Sequence, residues 1–132
     1  MGATLRKEHL RAFANVDISL DTFPQNGGIS TWESLYMGVP VVARLGHGPA
    51  ARLAASILTA VGLDDWVAED DEAYAAIARK FASEPSLMGR LRDGLRAHVT
   101  NSPAGNVELY TREVEAAYRQ FWCDYCASGQ LT

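Results

Sequence analysis

The sequence predicts an α/β fold, in the form of a partial Rossmann-type three-layer domain with a short parallel sheet, followed by a mainly helical C-terminal part. Two observations support this prediction. In residues 1–68, short apolar runs alternate with helical patterns and glycine-rich turns, the order expected of parallel strands joined by right-handed crossovers. In residues 69–132, apolar side chains recur at the three- and four-residue spacing of helices. We expect residues 1–132 to form a single domain with these two parts.

The first predicted elements are a helix, a strand and a loop. Leu5 and Leu10 stand among charged residues at a loose helical spacing, and Thr4 is placed to cap that helix. Residues 16–20 alternate between apolar and polar side chains, as a half-buried strand does. Residues 21–28 contain a proline, an asparagine and two glycines, which favour turns. The pattern therefore predicts a strand that leads into a loop.

Two further helices and two further strands complete the α/β part. A helical pattern begins at Ser30 and ends at Gly38, which is followed closely by a proline. Residues 39–43 form a short apolar run typical of a buried strand. A second helical pattern closes at Gly62, and residues 66–68 are a candidate third strand. Because a sheet of three strands is thin, we expect more of the fold to lie upstream of this chain.

The C-terminal part contains three apolar stripes at helical spacing. They are Tyr74, Ile77 and Phe81, then Leu87, Leu91 and Leu95, and finally Val107, Tyr110, Val114, Ala117, Phe121 and Tyr125. On the opposite face of the last helix, Glu108 is placed to pair with Arg112 and Glu115 with Arg119. These pairs favour a helix and do not indicate a functional site.

Composition and charge exclude several classes of protein. The chain has 132 residues, a formal net charge of −4 with both signs interspersed, and two cysteines. It lacks the concentrated positive charge of a nucleic-acid-binding protein, an apolar run long enough to span a bilayer, and the layout of a signal peptide. Two cysteines are too few for a secreted disulfide scaffold. We therefore expect a soluble cytoplasmic domain with no nucleic-acid or membrane partner.

The two glycine-rich loops form the candidate binding site. Ligands of open α/β sheets bind at the carboxyl ends of the strands, which here means residues 21–30 and 44–49. Glycines let backbone N–H groups approach a ligand, and hydroxyls at a helix N-terminus add donors where the helix dipole is positive. The predicted donor-binding residues of the first loop are Asn26, Gly27, Gly28, Ile29, Ser30 and Thr31. The alternative is that the glycines only make a tight turn and that Ser30 only caps the helix.

Other polar residues have two interpretations as well. Ser30 and Glu33 match a Ser-x-x-Glu capping box, while a carboxylate at this position can also accept ribose hydroxyls. Arg44, His47 and Arg52 belong to or follow the second loop and are candidates to contact a phosphate or a sugar. The alternative for Arg44 and His47 is simple solvation.

Several segments of the chain resemble the SPINDLY and O-GlcNAc transferase family of protein O-glycosyltransferases. They occur in the family's order between Phe13 and Tyr125. They are residues 16–24 (VDISLDTFP), 27–40 (GGISTWESLYMGVP), 52–56 (RLAAS), 61–63 (VGL), 102–103 (SP) and 118–122 (YRQFW).

The resemblance implies the donor-binding C-terminal part of a two-domain GT-B enzyme. Members of the family transfer GlcNAc or fucose from a UDP- or GDP-sugar to Ser or Thr of a protein acceptor, with inversion and with neither a metal nor another cofactor. An upstream catalytic Rossmann half and tetratricopeptide repeats would complete the enzyme. The residue that matches Glu33 binds the ribose, and the segment that matches residues 28–31 contacts the phosphates.

Some details of this resemblance leave alternatives open. O-GlcNAc-type relatives carry His-Thr-Thr where this chain has Gly28, Ile29 and Ser30, and the following residues favour the SPINDLY branch. The sequence therefore does not choose between fucose and GlcNAc, and it does not identify a catalytic residue. Because essential parts would lie upstream, we expect the chain alone to bind a donor without turnover. The alternative functions are a non-catalytic binding or homo-oligomerisation module and a nucleotide-sugar epimerase-like domain.

A cysteine pair and an acidic run contain residue types that also occur in metal or redox sites. The pair Cys123 and Cys126 has redox spacing but falls at a helix end, and no histidine has the spacing that would complete a zinc site, so we expect packing to explain it. The acidic run of residues 69–72 suits a helix start, where the dipole favours carboxylates. We therefore predict no metal site.

Overall fold

The computed structural model describes residues 5–129 as an α/β unit whose sheet has three short parallel strands. The strands are β1 (Ser19–Leu20), β2 (Val41–Arg44) and β3 (Val67–Ala68), in the spatial order β1-β2-β3. The helices are α1 (Arg6–Ala12), α2 (Ile29–Tyr36), α3 (Leu53–Ala60), α4 (Asp71–Ala82), α5 (Pro85–Asn101) and α6 (Val107–Ala127). This architecture confirms the predicted fold class. The predicted cap Thr4 lies outside the described residues.

The strand register places the two candidate loops side by side. Ser19 pairs with Val41, and Ala43 pairs with Val67, in parallel ladders. All three strands therefore end at the same edge of the sheet, where the loops after β1 and β2 begin. The predicted first strand was too long, because only its last two residues join the ladder. The predicted second strand was displaced, since pairing begins at Val41 and extends to Arg44.

The core lies between the sheet and its covering helices. Leu35 of α2, Val42 of β2 and Leu58 of α3 are fully buried. The later helices contribute to the same core, since Phe81 of α4 stacks on Trp66 with ring centroids 3.8 Å apart. The helical part thus packs on the α/β part, although the predicted division of the chain at residues 68 and 69 stays a prediction.

Local sequence signals determine where several of the helices begin and end. α2 and α3 each end just before a glycine with a positive φ, which is +80° at Gly38 and +73° at Gly62. An L-residue in this conformation places its Cβ too close to the backbone, so glycine is the natural residue there. At the start of α4, Asp70 accepts a hydrogen bond from the N–H group of Ala73, 2.7 Å away. The helix ends and the acidic cap were both predicted correctly.

α6 is the least embedded element of the described chain. None of its 21 residues is buried. The predicted pairs Glu108 with Arg112 and Glu115 with Arg119 do not form ion pairs, as exposed four-residue pairs often fail to do because side-chain ordering offsets the small gain. No helix within residues 5–129 combines the length and the apolar character needed to cross a bilayer.

The two cysteines also lie on α6, near its C-terminal end. The predicted position at a helix end is correct. The interpretation that Cys123 and Cys126 serve packing was wrong, because both are free and exposed.

Candidate donor-binding site

The loop after β1 is held in place by its own polar groups. The N–H group of Asn26 donates to the carbonyl of Ala50 over 2.9 Å, and its side-chain amide donates to Thr22 over 3.1 Å. The N–H group of Gly27 donates to Oδ1 of Asp21 over 2.8 Å. Asn26 and Gly27 were both predicted to bind the ligand directly, but their backbone N–H groups already donate, to Ala50 after the second loop and to Asp21 respectively.

The next four residues present free backbone donors at the start of α2. The N–H groups of Gly28, Ile29, Ser30 and Thr31 make no hydrogen bond to a backbone or side chain of residues 5–129. Because α2 begins here, these groups point along the positive end of the helix dipole. Four adjacent donors of this kind are suited to an anion such as a diphosphate.

The hydroxyl groups of this turn add to the donor set. Ser30 is exposed, whereas Thr31 is only 2% exposed and its Oγ1 has no hydrogen-bond partner among the described residues. Gly27 permits this crowding, because a Cβ atom there would lie 2.5 Å from Oγ of Ser30 and 3.0 Å from Oγ1 of Thr31. The turn thus brings hydroxyls and free amides together only because Gly27 lacks a side chain.

Glu33 does not form the predicted capping box. The N-cap residue of α2 is Gly28, and no side chain caps the helix, so Ser30 lies inside the first turn. The side chain of Glu33 is only 12% exposed, and its carboxylate is held by two residues of α1. Oε1 accepts from Arg6 over 2.7 Å, and Oε2 lies 3.1 Å from Nε2 of His9. Tertiary partners therefore outcompete the local cap.

Arg6 and His9 are site residues that the sequence analysis missed. They are three residues apart on a short helix and therefore share one face, which is the signal that could have identified them. Their distance from Glu33 in the sequence, 27 and 24 residues, gave no direct indication of contact. The arrangement joins α1 to α2 and surrounds a nearly buried carboxylate with two nitrogen donors.

The second loop, together with Phe23 and Pro24 of the first loop, lines a groove of about 620 Å³ at the carboxyl ends of the strands. Nε of Arg44 pairs with Asp71 over 2.8 Å, and the Arg44 guanidinium lies 5.0 Å from the ring centre of Phe23. Arg52 donates to the carbonyl of Gly46 over 3.1 Å. Arg44 and Arg52 therefore stabilise the walls of this groove.

The predicted site residues fall into three places. Arg44, His47 and Arg52 line the large groove, where the side chain of His47 is exposed. Gly27, Ser30 and Thr31 line a smaller cavity of about 220 Å³ together with Asp21 and Phe13. Glu33 lines neither and lies against α1. The structure thus brings the phosphate candidates of the first loop close to Glu33 along α2. The two loops also meet, because the N–H group of Asn26 donates to Ala50 and Phe23 lines the large groove with the basic residues.

The carboxyl group of Asp21 has an unusual environment within the smaller cavity. Burial raises its pKa above the ordinary value of 3.8, while hydrogen bonds from the backbone of Gly27 and Thr22 oppose the rise. The hydroxyl of Tyr74 donates to the backbone carbonyl of Asp21 over 2.8 Å, and burial, followed by the Asp21 charge, raises the pKa of this tyrosine. Asp21 thus couples the loop to α4.

The fold and this site together define an α/β domain in which a helix start with free amide groups lies beside a nearly buried carboxylate, an arrangement typical of Rossmann-type domains. Residues 2–114 match the family model described as glycosyl transferase family 41. The chain belongs to this family.

Curated relatives and a solved structure agree with this assignment. A barley (Hordeum vulgare) protein named probable UDP-N-acetylglucosamine–peptide N-acetylglucosaminyltransferase SPINDLY is 43% identical over 122 residues, which are 92% of this chain and 13% of the relative. A Caenorhabditis elegans UDP-N-acetylglucosamine–peptide N-acetylglucosaminyltransferase is 28% identical over 91% of this chain and 10% of its own.

One matching solved structure is a mutant O-GlcNAc transferase from Thermobaculum terrenum. It superimposes with a TM-score of 0.87 at 34% identity, over 98% of this chain and 25% of its own. The chain therefore corresponds to part of a GT-B glycosyltransferase and spans about an eighth of the barley relative's length. Membership in a glycosyltransferase family favours sugar transfer over the epimerase alternative.

Proposed function

We propose that the chain is the donor-binding portion of a protein O-glycosyltransferase, which holds a UDP- or GDP-sugar while GlcNAc or fucose is transferred to Ser or Thr of a protein. The observation that carries this proposal is the position of Glu33 on the same helix as the free amides of residues 28–31. Glu33 lies four positions after Ile29, which corresponds to about 6 Å along the helix axis. A ribose on Glu33 thereby has its diphosphate directed toward the start of α2.

The proposed division of labour follows from the chemistry of each group. Glu33 accepts hydrogen bonds from ribose hydroxyls, and Arg6 and His9 are the donors that the nucleoside meets beside it. The amides of residues 28–31 and the hydroxyls of the same turn hold the diphosphate. The basic side chains Arg44, His47 and Arg52 would face the sugar or its acceptor across the larger groove.

The reaction that we propose is a single displacement with inversion at the anomeric carbon. The acceptor hydroxyl oxygen forms a bond to that carbon while the bond from the carbon to the diphosphate oxygen breaks, and the electron pair leaves with the diphosphate. The hydroxyl proton passes to a base outside this chain. Fixed amide dipoles stabilise charge that develops on the leaving group, which is why we expect neither a metal nor another cofactor.

Titration calorimetry with UDP, GDP and their sugars, in buffer that contains EDTA, tests the proposal. We expect one of the two nucleotides to bind with a dissociation constant of about millimolar or tighter, without turnover. Glu33→Gln should weaken nucleotide binding about tenfold, since a neutral amide is a poorer acceptor for ribose hydroxyls. The matched control is Glu8→Gln on α1, whose exposed carboxylate forms no ion pair with the described residues.

Two results would count against the donor-binding role. Absence of any heat or thermal stabilisation at about millimolar nucleotide would remove it. Equal affinities of the Glu33 and Glu8 variants would remove Glu33 from the site even if nucleotide binds.

The exposed face of α6 favours a second role, assembly with other parts of a glycosyltransferase. Six large apolar side chains are 42–75% exposed along this helix, namely Val107, Tyr110, Tyr118, Phe121, Trp122 and Tyr125. Such a stripe commonly marks a contact surface. Because this chain matches only a quarter of the Thermobaculum terrenum protein, we propose that polypeptide from an upstream glycosyltransferase half, itself preceded by tetratricopeptide repeats, covers α6.

A further inference from the structure

Arg92 of α5 donates hydrogen bonds to the C-terminal ends of two other helical segments. Its guanidinium donates to the carbonyl of Met37, at the end of α2, over 3.4 Å. The same group donates to the carbonyls of Phe13, Ala14 and Val16 over 3.0, 3.4 and 2.9 Å, at the end of the helical turn that follows α1. A single partly buried cation thus serves four carbonyl oxygens, and its charge complements the negative ends of both dipoles.

α1 has little else that fixes it to the body of the protein. Neither α1 nor the turn over Phe13–Asn15 contains a buried residue. At its N-terminal half, α1 contacts Glu33 through Arg6 and His9. At its C-terminal end, the backbone is held by Arg92. Since apolar burial is small, these two polar attachments determine where α1 lies.

We propose that Arg92 is a positioning residue of the donor site, which acts by holding α1 so that Arg6 and His9 reach Glu33. Arg92 contacts neither the carboxylate nor the free amides, and it acts through the backbone of the segment before β1. The inference rests on the proposed function for the identity of the ligand. It adds that affinity for the nucleoside part depends on Arg92, whereas affinity for the diphosphate part does not.

Arg96 provides a matched control one turn further along α5. Its Nε donates to the carbonyl of Tyr36 over 2.8 Å, and its guanidinium lies 4.4 Å from the ring centre of that tyrosine. Its guanidinium also donates to Sδ of Met37. Within the described residues, the side-chain contacts of Arg96 therefore lie at the end of α2. Arg96→Gln therefore removes a comparable cap from α2 without releasing α1.

The first measurement is amide hydrogen exchange of Arg92→Gln and Arg96→Gln in the 132-residue chain. In Arg92→Gln, we expect the amides of α1 to exchange at least about tenfold faster while the amides of α3 keep their protection. In Arg96→Gln, the amides of α1 should match the parent. Equal protection of α1 in both variants would overturn the positioning role.

The second measurement is titration of the same variants with the nucleotide that the parent binds and with inorganic pyrophosphate. Arg92→Gln should weaken nucleotide binding about tenfold and pyrophosphate binding by less than about twofold, whereas Arg96→Gln should change neither by more than about twofold. Equal losses for both ligands would show a general structural effect and overturn the inference. If the parent binds no nucleotide, the proposed function and the affinity statement fail together, and exchange alone decides whether Arg92 holds α1.

Arg92→Lys keeps the proposal testable if the glutamine variant does not fold. Lysine retains the charge but lacks the planar fork that serves two helix ends at once. We expect exchange of α1 and nucleotide affinity to fall between those of the parent and Arg92→Gln. An Arg92→Lys variant with parental nucleotide affinity and fully exposed α1 amides would contradict the link between the two.

Discussion

The carboxyl group of Asp21 is partly buried in the loop that leads to the candidate binding site. One carboxylate oxygen accepts the Gly27 N–H group, while Oδ2 is buried without a partner among the described residues. Because Gly27 starts the turn that leads to the free amides, the charge of Asp21 lies next to the place proposed for a diphosphate. The hydrogen bond that it accepts shapes this turn.

The raised pKa of Asp21 predicts a specific pH dependence of stability. The folded state holds the proton more tightly than the unfolded chain, so the Asp21 contribution to the free energy of unfolding falls as pH rises from the ordinary pKa of 3.8 through the higher folded value. Asp21→Asn keeps an acceptor oxygen and removes the charge. The difference in unfolding free energy, variant minus parent, should therefore increase between about pH 3 and about pH 7.

Urea denaturation across this pH range measures the difference. Asp65→Asn, which replaces an exposed carboxylate, is the control for the substitution itself. A difference for Asp21→Asn that stays constant with pH would show that its carboxyl group has the same pKa in the folded and unfolded states.

Glu33 marks how far residue patterns predicted the site. The Ser-x-x-Glu spacing suggested a local partner for Glu33, whose ligand role stays a prediction. In the structure, its partners come from α1, because a nearly buried carboxylate gains more from Arg6 and His9 than from an exposed backbone N–H group. Contacts across 27 and 24 residues depend on the packing of α1, which no local pattern specifies. The ligand roles of residues 26–31 stay predictions.

At the scale of elements, local backbone requirements were the most predictable feature. The ends of α2 and α3 could be predicted because a positive φ strongly favours glycine, whatever surrounds it. The strands were less predictable. Val16 and Asp17 have the alternation of a strand, yet pairing starts only at Ser19, because β2 offers partners only from Pro40 onward.

The two helix-ending glycines should respond differently to alanine. Gly62→Ala adds a methyl group with no atom within 4 Å, so its cost is that of the left-handed conformation, about 1–2 kcal/mol. Gly38→Ala has the same conformational cost and also places Cβ 2.7 Å from the backbone carbonyl of Arg92. We expect the free energy of unfolding to fall by at least about 1 kcal/mol more for Gly38→Ala.

Chemical denaturation of the two variants provides the comparison, with the slope against denaturant used to check that both unfold in one step. Equal losses of stability would mean that α5 moves away from Gly38 without cost. That result would weaken the view that α2 and α5 are rigidly joined where Arg92 lies.

At the scale of the whole molecule, composition and element order predicted the fold class, and the resemblance predicted the family. Both are confirmed by the three-stranded parallel sheet and by the match to glycosyl transferase family 41. The apolar stripe of α6 was predicted, but Tyr118 and Trp122, which widen its exposed face, were not part of the predicted stripe.

The assembly surface on α6 can be tested with paired variants. Mixed with a separately produced upstream half of a family 41 relative, the parent chain should form a one-to-one complex. Phe121→Ser with Trp122→Ser should abolish the complex, because these side chains are 65% and 61% exposed and lie on the stripe. The control changes Arg112 and Gln120 to serine, which are exposed on the opposite face of α6, and should leave the complex intact.

Light scattering coupled to size exclusion distinguishes the outcomes for α6. A dimer of the parent chain that the Phe121 and Trp122 variant converts to a monomer would assign the surface to a second copy. Unchanged complex formation by that variant would exclude α6 from assembly.

The most direct test of the central claim is amide chemical-shift mapping with UDP and GDP on the 132-residue chain. If the donor binds at the start of α2, one nucleotide should shift the amides of residues 28–31, Glu33 and α1 together and in a saturable manner. Glu33→Gln should weaken this response. Shifts confined to residues 44–52, or no shifts at about millimolar nucleotide, would contradict donor binding at the start of α2.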